Sequence, residues 1–335
     1  MKNSNIYISL LLIPAFLLIF FVCLCQGTIY INLSTVWSAL SNYDPENKIH
    51  YIIVNMRLPR LIQAFSTGGI LALCGYLLQS WIGNPLAEPY LLGTSSGASL
   101  GVNLVFLGFL PVSIGSAYIT PLAGFAGAFL STLFVISISI QKQKIIPGVL
   151  ILAGVAISAF LTALLNFLIY MKGSDVKLKS LVYWAFGGFE NASWKYIPLT
   201  LLSLFSAVIL FYAFHKEIHL LILGEERAQN LGLKTKNIRR IILISVAFLT
   251  SVSVASSGPV GFVGLIIPHV VRVLYGNINR FNIIYCVLWG GFFILFCDVI
   301  SRVIFSPSGL PIGIVTSFFG APFFIYLLVR KSSSF

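Results

Sequence analysis

The stretch KEIHLLILGEERAQNLGLKTKNIRR, Lys216 to Arg240, decides how this chain is read. Charged residues make up 9% of the sequence, yet the segment holds three of the nine acidic ones, Glu217, Glu225 and Glu226. It also holds six of the twenty-one basic ones, Lys216, Arg227, Lys234, Lys236, Arg239 and Arg240. Apolar runs of bilayer-spanning length flank it, so a structured polar segment here faces water and meets something soluble. Its residue order predicts two short helices with a break. Leu220, Leu221 and Leu223 give the first an apolar side, and Gly224 interrupts. Glu225 and Glu226 then occupy a new first turn, where acids favour the positive end of the helix dipole. Ala228 and Leu231 continue an apolar stripe, and Gly232 suits the position past a helix end where φ turns positive. Two readings stand: an amphipathic connector on the membrane surface, or a docking knob for a soluble partner.

Working outward, composition names the solvent. Hydrophobic residues are 58% of the 335 and mean hydropathy is +0.97, against about half apolar and a quarter charged in soluble domains. The expected fold class is an all-α membrane protein, one transmembrane domain over residues 1–335 with room for about ten helices of roughly 20 residues each. The expected spans are Ile6–Cys25, Leu61–Trp81, Leu91–Phe109, Tyr118–Ile140, Val149–Met171, Ile197–Phe214, Ile238–Ala255, Val260–Tyr275, Ile283–Ile304 and Ile312–Val329. The first apolar run exceeds the h-region of a signal peptide and no small-residue cleavage site follows it, so it reads as a retained helix.

Net charge is +12, but the basic residues flank apolar spans instead of forming a nucleic-acid patch. An even span count puts both termini on one side. With the termini cytoplasmic, 13 of the 21 basic residues face the cytoplasm, the sign that the positive-inside rule requires. The Lys216–Arg240 island then lies in the cytoplasm as well. Cys23, Cys25, Cys74, Cys286 and Cys297 all lie in apolar segments without metal-ligand spacing and read as small buried hydrophobes.

Catalytic signatures are absent, and so is a phosphate-binding Gly-x-x-x-x-Gly-Lys loop, which excludes an ATPase within the chain itself. His215 and His219 share one helix face, but no third ligand stands near, so neither a metal site nor a cofactor is expected. Asp298 is the clearest intramembrane acid, near the outer end of its span, and Glu88 falls in a loop. That scarcity disfavours the alternative of an ion-coupled secondary transporter, which needs polar groups at mid-bilayer depth. The tyrosines, tryptophans and phenylalanines of the 172–195 loop read as interfacial anchors or as a short surface helix over a pore mouth.

Six further stretches carry a resemblance. RLPR (Arg57–Arg60), GNPLAEPYLLGTSSGASLG (Gly83–Gly101), LILAGVAI (Leu150–Ile157), LILGEERAQNLGL (Leu221–Leu233), GPVGFVGLIIPHVVRVLYG (Gly258–Gly276) and LPIGIVTSFFGAPFFIYLL (Leu310–Leu328) are similar, in order, to the permease family importing iron-siderophore complexes, haem and vitamin B12. The spacing Glu226, Ala228, Gly232 also resembles the loop with which permeases of ATP-binding cassette transporters engage their ATPases, with Arg227 in place of one alanine.

The resemblance implies the type II importer permease fold, with ten helices and short cytoplasmic coupling helices. It implies a homodimer in the bacterial cytoplasmic (inner) membrane, two cytoplasmic ATP-binding subunits and an extracytoplasmic binding protein. It implies a metal-chelate substrate, and no enzymatic activity of the permease's own. The coupling residues are then Leu223, Gly224, Glu225, Glu226, Arg227, Ala228, Leu231 and Gly232. A cytoplasmic gate is implied at Asn84, Pro85 and Leu86, with a second element at Pro147 and Gly148, where a relative carries small hydroxyl residues. Arg57, Arg60 and Arg302 match arginines that receive acidic residues of the binding protein; without the family they read as side chains snorkelling to headgroups. The small residues Gly93, Ser95, Ser96, Gly97, Ser99 and Gly101 suit either close helix packing or a pore lining.

Overall fold

The structure is a computed structural model and describes residues 14, 17–110, 118–141, 144–172, 182–304 and 309–332. Helices occur at all ten apolar segments: α1 (17–25), α4 (Leu58–Ile82), α5 (Thr94–Phe106), α6 (Ile119–Ile138), α7 (Pro147–Lys172), α9 (Ile197–Ala213), α12 (Thr235–Ser257), α13 (Val263–Tyr275), α14 (Asn282–Ile304) and α15 (Ile312–Ser332). Between them lie α2 (Leu33–Ser41), α3 (Lys48–Tyr51), a turn α8 over 182–185, α10 (His215–Ile222) and α11 (Glu225–Asn230). Among the described residues five helices are by themselves long and apolar enough to cross a membrane, and a sixth span forms if α9 and α10, bent 68° apart, are counted together. The start of the first expected span lies outside the described residues.

The axis of the molecule is α4. With α3 and a π-helical stretch (Ile52–Arg57) it runs as one 35-residue helix, and 89% of its most apolar window is buried within the chain. A helix apolar all round belongs inside a bundle, and this one has no polar face to give to water. Glycines let its neighbours come close. A side chain at Gly68 would collide with the Gly290 carbonyl of α14, and one at Gly75 with the Gly264 carbonyl of α13. Along α5, side chains at Gly97 and Gly101 would collide with the carbonyls of Gly127 and Ala123 in α6. The small-residue run of α5 is therefore, at these two positions, a packing seam between helices of one chain.

Two spans are shorter than the sequence suggests. For the expected Leu91–Phe109 span, Leu91 and Leu92 close a 3-10 turn (Pro89–Leu92) and Gly93, at φ 78°, redirects the chain, so α5 has only 13 residues. For Val260–Tyr275, the helix starts late because Phe262 stands at φ 69°, the sole non-glycine residue with positive φ among the described residues. Such a conformation costs about 1–2 kcal/mol and is held from two sides. The Glu88 carboxylate accepts the Phe262 N–H at 2.6 Å, and the Phe262 ring sits where any side chain at Gly320 of α15 would be.

A proline inside α13 produces the main polar contact of the core. Pro268 has no N–H to give the carbonyl four residues back, which is that of Gly264. Gln79 of α4 supplies the donor instead, Nε2 to Gly264 O at 2.9 Å, and its Oε1 accepts from Arg272 one turn further along α13. The same Nε2 reaches the Ala87 carbonyl at 3.3 Å, so one buried glutamine joins two helices and the loop between α4 and α5.

Candidate functional site

The predicted pair of short helices exists. α10 ends before Gly224, whose φ of 102° and ψ of 150° admit only glycine comfortably, and α11 begins at Glu225. Gly232 has the expected positive φ, 84°. The Glu225 carboxylate accepts from Arg239 Nη1 at 3.1 Å and from Thr235 Oγ1 at 3.2 Å, tying the start of α11 to the first turns of α12. Gln229 Nε2 donates to the same Thr235 hydroxyl at 2.9 Å. α11 is thereby braced against the start of α12.

The apolar stripe of α11 is divided between two jobs. Ala228 is fully buried within the chain, whereas Leu231 is 61% and Leu223 41% exposed, beside exposed Glu226 and Arg227. The surface available to another protein is thus Leu223, Gly224, Glu226, Arg227, Leu231 and Gly232. Ala228 and Glu225 seat the helix from below.

Asn84, Pro85 and Leu86 form a tight turn directly after α4. Asn84 Oδ1 accepts the Leu86 N–H at 3.0 Å and its carbonyl accepts the Ala87 N–H at 3.1 Å, the Asx-type geometry expected of asparagine before proline. All three side chains are half-buried. Pro147 is the first residue of α7, where its missing N–H costs nothing, and a side chain at Gly148 would meet open space. A two-residue antiparallel pair, Ile140–Gln141 with Lys144–Ile145, leads into it. Further along α7, Gly154 packs on the carbonyl of Leu91, so α7 bears on the chain that leaves the Asn84 turn.

Arg57, Arg60 and Arg302 lie together at the opposite end of α4, which spans about 37 Å at 1.5 Å per residue. Arg57 Nη1 donates to the carbonyls of Leu24 (2.6 Å) and Cys25 (3.0 Å), and Nη2 to that of Ile29. Arg302 donates to the carbonyls of Gln26 (2.7 Å) and Cys23 (3.3 Å). The two guanidinium groups thereby cap the last turn of α1, whose carbonyls have no donors further along the helix. Asp298 is buried between Arg60 (2.8 Å) and Arg302 (3.0 Å), and Arg60 also faces the exposed Glu190 at 3.6 Å. A cavity of about 560 Å³ opens over this cluster, with all three arginines and Glu190 in its wall. The snorkelling reading does not describe Arg57 and Arg302, which are buried at 7% and 8% exposure. Sequence reasoning missed the capping role because every carbonyl partner is distant in the chain. Of the clamp on Asp298, the Arg302 half stands at the helical i, i+4 spacing and was legible, whereas Arg60 reaches it across 238 residues.

The two histidines of α10 stack edge to face at 5.9 Å and each ring contacts a backbone carbonyl, His215 that of Tyr212 and His219 that of Asn279. No group of three metal-ligating side chains occurs among the described residues. The five cysteines are free and buried.

Residues 15–330 match the FecCD transport family. The chain belongs to that family. It is 35% identical to the vitamin B12 import system permease protein BtuC of Serratia proteamaculans over 89% of this chain and 87% of the relative. With the iron(3+)-hydroxamate import system permease protein FhuB of Bacillus subtilis, identity is 33% over 93% of this chain and 80% of the relative. The fold is similar to a solved inward-facing conformation of a metal-chelate type ABC transporter, with a TM-score of 0.82 and 27% identity over 98% of this chain and all of that one. As a member of FecCD the chain is a membrane-embedded ABC importer permease with the type II permease fold, and a transport subunit in place of a catalytic one.

Proposed function

We propose that this FecCD permease translocates a metal chelate (an iron-siderophore complex, haem or cobalamin) handed over by an extracytoplasmic binding protein. It works as a homodimer with two cytoplasmic ATP-binding subunits, in the bacterial cytoplasmic membrane with both termini inside. The observation that carries the reading is the braced α10–α11 element. It presents exposed Leu223 and Leu231 to a soluble partner, and Glu225 and Arg239 link it rigidly to α12. ATP-driven closure of that partner would move α12 and, through the packed core, the Asn84–Leu86 turn. Chelated metal needs no protein ligands along the path, consistent with small and apolar linings.

The homodimer is supported by α7, of which only 17% of the most apolar window is buried in the chain, and by exposed Phe318 and Ile325 on α15. Docking of an acidic binding protein is proposed at the cavity over Arg60, whose side chain retains 17% exposure, with Arg57 and Arg302 holding the floor. The test is reconstitution with the cognate ATPase in liposomes. ATP-dependent uptake of one chelate, stimulated by its binding protein, is expected; uptake that follows a proton gradient and ignores ATP would refute it.

A further inference from the structure

The outer stripe of α9, Leu199, Leu202, Phe205 and Ile209, is 57–70% exposed and recurs at helical spacing, so this face meets lipid. Near its coupling-side end the stripe dips into a groove of about 430 Å³ formed by Val208, Ile209, Tyr212 and Ala213 with Ile284 of α14. Water would find almost no hydrogen-bond partner on such walls, and water fills a cavity only with two to four of them. A hydrocarbon chain fits the lining.

The end of the groove is different. Tyr212 stacks on His215 at 5.7 Å and its ring lies 6.5 Å from Phe281. Over Phe281, at 4.6 Å, stands the Arg280 guanidinium, exposed and without an ion pair among the described residues. Lys216 follows His215 on α10 and is likewise exposed and unpaired among the described residues. His215 has its Nδ1 at the Tyr212 carbonyl, which leaves Nε2 for a ligand. The acid on the same helix, Glu217, is half-buried with Oε2 enclosed, so the exposed groups at this end are cationic. An apolar groove at the end of an expected span, with an unpaired arginine and an exposed lysine on the segments just beyond it, has the two-part chemistry of a phospholipid of negative charge.

We infer that the groove between α9 and α14 binds one anionic glycerophospholipid, an acyl chain lying against Ile209 and Ile284 and the phosphate held by Arg280 and Lys216. The inference rests on the membrane fold and not on the transported substrate or the orientation of the termini. Occupancy would fill the seam beneath the coupling helices, making the lipid a structural partner of α10.

The experiment is native mass spectrometry of the full chain in delipidating detergent, titrated with phosphatidylglycerol or phosphatidylcholine. Tight retention of one phosphatidylglycerol per chain and weak retention of phosphatidylcholine are expected. Arg280→Gln should weaken phosphatidylglycerol binding about fivefold, as for one cation at a charged surface. Ile209→Trp, which fills the slot and leaves the cations, should abolish retention, whereas Phe205→Trp on the same stripe should not. Melting temperatures establish that each variant is folded. Equal retention of both lipids, indifference to either substitution, undiminished binding of glycerol phosphate by Ile209→Trp, or a copurifying polypeptide in the groove would each overturn the assignment.

Discussion

Asp298 holds two arginines that would otherwise repel each other. Arg60 and Arg302 reach it at 2.8 and 3.0 Å from α4 and from its own helix, and its side chain is fully buried. Removing one member of a buried cluster leaves uncompensated charge, which typically costs about 3–5 kcal/mol. Asp298→Ala is therefore expected to lower the unfolding free energy by that order. Glu190→Ala, at 59% exposure and 3.6 Å from Arg60, should change it by less than about 1 kcal/mol. Thermal unfolding of both proteins in one detergent checks the contrast, and equal effects would remove the clamp. Gln79 is the second such residue. Gln79→Leu leaves the Gly264 carbonyl, already deprived by Pro268, without a donor and Arg272 without its acceptor. The expected penalty is about 2–3 kcal/mol, and more rapid amide exchange in α13 than in α6 would locate it.

At the scale of elements, α11 separates seating from docking. Ala228→Glu would force a charge into a site with no exposure, so it is expected to unseat α11 and to lower stability as well as coupling. Leu231→Glu alters a side chain already 61% exposed. The protein should stay folded with an unchanged melting temperature while losing association with the ATPase subunit. Pull-down of the ATPase with each variant, alongside its melting curve, distinguishes the two. A Leu231→Glu protein that still binds and couples would exclude this face from the contact.

At the scale of the whole molecule, α4 and α14 carry the arginine cluster at one end, and the Asn84 turn and the short helices lie at the other. If the chain spans the membrane as proposed, cysteines at Asn230 and Glu46, both exposed positions, react with impermeant reagents from opposite sides. Asn230 should be labelled only from the cytoplasm. Labelling of both from one side would break the topology and the coupling mechanism together.

Much of this was legible in the residues themselves. Ten apolar segments became helices because a bilayer leaves the backbone no other way to satisfy its hydrogen bonds. Gly224 and Gly232 interrupted the polar island because their positive φ angles disfavour any residue with a side chain, a local preference that glycine announces in the sequence. What the sequence could not carry depends on pairs far apart in it. Arg57 and Arg302 look like surface cations until the end of α1 and the residues just after it bring five carbonyls to them, across as many as 279 residues. Ala228 and Leu231 read as one apolar stripe, and only the seating of α11 decides that the first is covered and the second is free. Leu91 and Val260 read as span residues, but the Gly93 turn and the grip of Glu88 on Phe262 remove them from their helices. Periodicity fixes which residues share a face; which face is buried, and by what, is set by packing between helices that the chain brings together only on folding.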